Sequence, residues 1–131
     1  MATIKTAIDG DLTMRFIIGV VTADEIVDIL QESYAGSPTL YTVWDITRAS
    51  VAGFTTEEVQ RITHVARERA ELRTGGKSAV IAPADLEFGI SRMVDIGLGL
   101  RDSPYEVRSF RTAEEARAWL GVDSLPAEPE D

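Results

Sequence analysis

Short β-type runs alternate with helix-start signals along this chain, and that alternation restricts its fold more than any other feature. Thr22-Ala-Asp-Glu25, Thr55-Thr-Glu-Glu58 and Thr112-Ala-Glu-Glu115 share one spacing. In it the Thr hydroxyl and the Glu carboxylate satisfy backbone N–H groups left free at a helix start. Apolar residues follow at helical intervals: Ile26, Ile29 and Leu30; Val59, Ile62, Ala66 and Ala70; Ala116, Trp119 and Leu120. The first helix is expected to end near Tyr34 and the second near Arg73, where Gly75-Gly76 supplies a stop. Pro83 and Asp85 open a further helix, for four in all.

The runs between them read as strands. Ala2 to Ile8 and Leu12 to Val20 flank Asp9-Gly10-Asp11, a hairpin signal because Gly takes positive φ without a Cβ clash. Leu40 to Ile46 (LYTVWDI) is β-branched and aromatic, Ser78 to Ala82 is a short buried run, and Val107 and Phe110 mark the last strand. The order ββαβαβαβα predicts an α/β fold. Strands joined through helices pair in parallel by right-handed crossovers, so about five strands make a mixed, mostly parallel sheet.

At 131 residues the chain has the length of one domain, expected over residues 1–121. Residues 122–131 are acidic and contain Pro, and are expected to fray. No Cys is present, which removes disulfides, thiolate metal sites and thiol catalysis. The N-terminal segment lacks a signal-peptide pattern and no apolar run is long enough to cross a membrane. A cytoplasmic location is the resulting expectation. A net charge of −9 argues against nucleic acid and anionic membranes as partners.

Few residues invite chemistry. Gly76-Lys77-Ser78 imitates the end of a phosphate-binding loop, but it enters a strand and Glu71 stands where the first Gly is needed. His64, the single histidine, shares its helix face with Glu57, Gln60 and Glu68, the neighbours of a surface residue. Arg92 and Asp95 are spaced to pair along the third helix. Asp45 is the best single functional candidate, since ligands collect beyond the carboxyl ends of parallel strands. Its alternative is a carboxylate accepting N–H groups from the small-residue loop after it. Trp44 should point to the opposite face. The expectation is therefore no enzyme and no cofactor or metal, with an activity centred on Asp45 as the weaker alternative.

The third helix is unusual. Leu86, Ile90, Met93, Val94, Ile96, Leu98 and Leu100 cover an arc of roughly 200°, about twice a core-facing stripe. Deeper burial, a homodimer through helix 86–100, or the wall of an apolar cavity would each account for it. Gly89, Gly97 and Gly99 in the same helix suggest close packing, a bend or mobility.

VWDIT at Val43–Thr47, GKSAVIAP at Gly76–Pro83, FGISRM at Phe88–Met93 and FRTAEEARAWL at Phe110–Leu120 together resemble the SpoIIAA-like group of STAS-related bacterial domains. The resemblance runs from Ile4 to Leu120 and implies the same mixed-sheet fold, more loosely akin to the lipid-binding CRAL-TRIO domains. STAS regulators carry a phosphorylated Ser in an Asp-Ser pair at the helix after the central strand. Here that position falls near Phe54 and no Asp-Ser pair is present. Ser50, Thr55 and Thr56 lie close by as phosphorylation candidates, although Thr55 is already a helix cap. The leading expectation is thus a non-enzymatic STAS-like module that binds a protein partner or a second copy through the loop entering the second helix and through the third. The alternative is a carrier or sensor of a small apolar or lipid-like ligand. Phe54, Phe88, Met93 and Leu98 join Asp45 as the binding candidates.

Overall fold

A computed structural model describes residues 2–36, 38–99 and 103–130, with the side chains of Leu98 and Gly99 also outside the description. The element order is β1 (Thr3–Asp9), β2 (Leu12–Val20), α1 (Ala23–Ala35), β3 (Tyr41–Ser50), α2 (Thr56–Glu68), a 3-10 turn (Ala70–Arg73), β4 (Lys77–Ile81), α3 (Asp85–Gly99), β5 (Glu106–Phe110) and α4 (Ala113–Leu120). The five strands lie in sequence order, β1-β2-β3-β4-β5. β1 and β2 pair antiparallel and the rest are parallel, so the expected mixed α/β sheet is the one observed.

Local chemistry explains the elements. Gly10 turns the β1–β2 hairpin with φ +60°, where a side chain is strained. Thr22 with Glu25 and Thr55 with Glu58 form reciprocal capping boxes. At Thr112 the hydroxyl accepts from the Glu115 N–H, but Glu115 returns its carboxylate to that hydroxyl rather than to the backbone. β3 runs four residues past Ile46, because a bulge sets Ile46 and Thr47 against Ile17 alone between the pairs Phe16–Asp45 and Ile18–Arg48. Such an extra residue bends a strand without ending it.

Strands in sequence order joined by crossovers of one hand place all their crossover helices on one face. Two separate cores result. On one face Leu12, Met14, Phe16, Val43, Ala79 and Ile81 pack with Ala116 and Leu120 of α4. On the other, Ile17, Val21, Ile46, Val51 and Ala82 form a cluster that Ile26 and Phe54 link to the one between α1 and α2.

Residues 122–130, expected to fray, are instead laid against the α4 face. Val122 and Leu125 pack on that core, and the Arg117 Nη1 donates to the Val122 carbonyl at 2.6 Å. Glu128 pairs with Arg48 and, at 3.1 Å, with Lys5. The apolar residues spaced through the Pro-containing tail give it something to bury, which outweighs its acidic composition.

Candidate functional site

The helices α1, α2 and α3 meet the sheet only in part, with Ile26 and Ile90 packed on the Ile17–Ile46 cluster. Between them lies a cavity of about 470 Å³, within the ~300–1,000 Å³ span of small-molecule sites. Its floor is the outward alternation of the central strands: Thr13, Arg15 and Ile17 of β2, Thr42, Trp44 and Ile46 of β3, and Ser78 and Val80 of β4. Its roof is Ile26 and Leu30 of α1, Ile62 and Ala66 of α2, and Ile90 and Val94 of α3. Val51 and Phe54 close one end from the β3–α2 loop, and Thr6 and Ile8 of the edge strand border the other.

Two arginines line it, and they differ in kind. Arg73 is 5% exposed and bonded mainly to backbone carbonyls. Its Nε donates to the Thr39 carbonyl at 2.9 Å, Nη2 to the carbonyls of Leu40 at 2.9 Å and Lys77 at 3.1 Å, and Nη1 to Ser78 Oγ at 2.7 Å. The Tyr105 ring stacks on it at 4.4 Å. Tyr34 and Tyr105 both donate to the Ala66 carbonyl, at 3.0 and 3.2 Å, and burial, with Tyr34 alongside, raises the Tyr105 hydroxyl above its ordinary pKa. This cluster staples the start of β3 and β4 to α1 and α2.

Arg15 is only partly engaged. Its Nη1 donates to Thr6 Oγ1 at 3.2 Å and its Nη2 to Ser33 Oγ at 2.5 Å, while Nε is buried without a partner. Burial lowers its pKa, and Glu32 opposes that shift through space, but among the described residues no carboxylate comes within ion-pair distance of it. At the far end Glu87 of α3, 8% exposed, accepts from the Val51 N–H at 3.2 Å and ties the loop of Phe54 to α3.

The candidates read from the sequence separate on this geometry. Phe54 lines the cavity. Asp45 does not: it alternates with Trp44, lies on the face of Phe16 and Val43, and accepts from the Thr47 N–H at 2.9 Å. With strand order never reversing, no crevice opens beyond it. Phe88 packs beside the Val51 cluster with the Arg111 guanidinium 4.1 Å over its ring. Met93 is 40% exposed on the outside of α3, and the Leu98 side chain falls outside the described residues. Ser50 ends β3 and meets the Ala52 N–H at 3.4 Å, Thr55 caps α2, and Thr56 is exposed.

α3 divides its apolar arc. Ile90 and Val94 face the cavity, whereas Leu86 and Ile96, 52% and 53% exposed, stand outward with Met93. Gly97 admits Thr63 of α2, whose Cγ2 would lie 3.0 Å from a Cβ there, while a Cβ at Gly89 would meet nothing within 4 Å. Asp95 does not pair along the surface with Arg92. It turns under α3 and accepts from the Ser109 N–H of β5 at 2.9 Å. His64 is exposed beside Glu68 at 3.5 Å. Among the described residues no group of three or more His, Cys, Asp or Glu side chains is arranged to hold a metal, and no helix is long and apolar enough to cross a membrane.

Arg15, Tyr34, Arg73 and Glu87 escaped the sequence reading. Only Arg15 left a signal, as a cation inside the otherwise apolar run LTMRFIIGV.

The sequence matches no protein-family profile and no curated protein. Among solved structures the fold is similar to that of an uncharacterized protein of the DUF3478 family with a SpoIIAA-like fold from Shewanella loihica PV-4. The two share 17% identity over 91% of this chain and 93% of that one, with a TM-score of 0.56. At that identity the likeness is one of fold, and it is the SpoIIAA-like fold the sequence resembled.

Proposed function

We propose that the chain is a non-enzymatic binding module for a small, largely apolar ligand held between the sheet and α1–α3. The observation that carries this reading is the cavity itself. Ile17, Ile26, Ile46, Ile62, Val80 and Ile90 converge on a space that a close-packed core would fill, and Arg15, Glu32, Arg73, Glu87 and several hydroxyls share its lining, a mix of apolar wall and polar handles that small-molecule sites use. Titration with a fluorescent long-chain fatty acid tests it. Saturable one-to-one binding is expected, weakened at least tenfold in Val80→Phe, which fills the floor. Absence of binding, or equal binding by the folded variant, would overturn the reading.

A second reading rests on the outer face of α3. Leu86, Met93 and Ile96 form an exposed apolar stripe suited to a protein partner or a second copy. Sedimentation of wild type and Ile96→Glu checks it: association abolished by the substitution favours it, and a monomer that captures no partner removes it.

A further inference from the structure

We infer that Arg15 receives the head of the ligand, and that the ligand is an acyl-chain monocarboxylate whose tail lies along the apolar floor. This rests on the cavity reading above and assigns its chemistry. A guanidinium has five N–H donors. In Arg73 four of them go to three carbonyls and a hydroxyl, so that residue is structural. In Arg15 the hydroxyls of Thr6 and Ser33 take only two, and Nε has no partner.

A half-buried cation is ordinarily neutralised by a carboxylate. Among the described residues Glu32 is the acidic side chain whose charge reaches Arg15, yet it lines the cavity from the exposed face of α1 and does not pair with it. The two hydroxyls and the Trp44 ring, its centroid 5.6 Å away, hold the guanidinium at the β1 edge of the cavity. Ile17, Ile46 and Val80 continue the same sheet face inward.

Charge decides the head group. One guanidinium, with Glu32 nearby and a chain of net charge −9, balances a single negative charge and is poorly matched to a phosphate dianion. A planar carboxylate also fits the fork of a guanidinium bidentately.

Displacement of a fluorescent fatty acid by dodecanoic acid, methyl dodecanoate and dodecyl phosphate tests the inference. Wild type should prefer the acid to the ester by about ten- to a hundredfold, the span of a lost charge-assisted contact, and should bind the phosphate no more tightly than the acid. Arg15→Gln should abolish the preference for acid over ester. Equal binding of acid and ester by wild type, or tighter binding of the phosphate, would overturn it with the cavity reading intact. The wild-type comparison decides the matter even if the variant fails to fold. If neither acid nor ester binds, the cavity reading fails first and takes this inference with it.

Discussion

Arg15 and Trp44 stand directly opposite one another in the β2–β3 register, with the guanidinium carbon 5.6 Å from the indole ring centroid. The pairing sets a cation and a fluorophore side by side on the cavity floor. The other tryptophan, Trp119, packs on Phe110 at 5.5 Å across the sheet, so Trp119→Phe leaves Trp44 as a lone reporter. Fatty acid binding to that variant should change the intensity and emission maximum of its fluorescence. An unchanged spectrum at saturation would place the ligand elsewhere.

Arg73 should matter for stability rather than for binding. Replacing it with Met leaves the Thr39 and Lys77 carbonyls and the Ser78 hydroxyl without the donors they now have. Loss of charge-assisted bonds to buried groups costs about 3 kcal/mol, read as a lower midpoint in urea unfolding. A variant within about 0.5 kcal/mol of wild type would show that water replaces the guanidinium.

Gly76 lies where the chain enters β4, and a Cβ there would sit 2.2 Å from the Leu40 carbonyl oxygen and 2.9 Å from that of Arg73. Backbone cannot step aside as a flexible side chain would. Gly76→Ala should therefore destabilise by about 2 kcal/mol or more, measured in the same unfolding assay. Full stability would mean that the β3–β4 junction shifts freely.

Asp95 gives the fold a pH dependence. Burial raises its pKa from 3.8 to about 6, against the opposing pull of Ser109, Arg92 and Arg108. The folded state therefore favours the protonated form, and this contribution to stability is complete below about pH 4 and lost as pH rises to about 6. Asp95→Asn keeps an acceptor for the Ser109 N–H and adds a donor for the Ser109 hydroxyl, now buried without a partner. The thermal midpoint of the variant should gain on wild type across that interval and hold its lead above it. A difference independent of pH would contradict the assignment.

The sequence carried the architecture because its signals are local. The Thr22 and Thr55 capping boxes and the Gly10 hairpin each involve residues within four positions, so spacing alone reveals them. The bulge at Ile46-Thr47, the docked tail and the inward turn of Asp95 depend on groups far along the chain, and no periodicity encodes such meetings. The site is harder still. Trp44 was expected opposite Asp45, and it lies in the cavity wall, but the sequence says nothing of how far helices stand from a sheet. Only then does Arg15 become a cation lacking an anion rather than a polar interruption of β2.

The separation of the two cores by the sheet has a mechanical consequence. The α4 face, sealed by Leu12, Val43, Ala79, Ala116 and the tail, anchors the strands independently of what lies beneath α1–α3. The helical roof has its own smaller set of ties, the tyrosine hydroxyls on the Ala66 carbonyl, the Asp95–Ser109 bond and the packing of Ile26 and Ile90 on Ile17 and Ile46, and these can part while the strands stay paired. Amides of β2–β4 should exchange with solvent through the rarest openings and those of α1 and α2 through commoner ones.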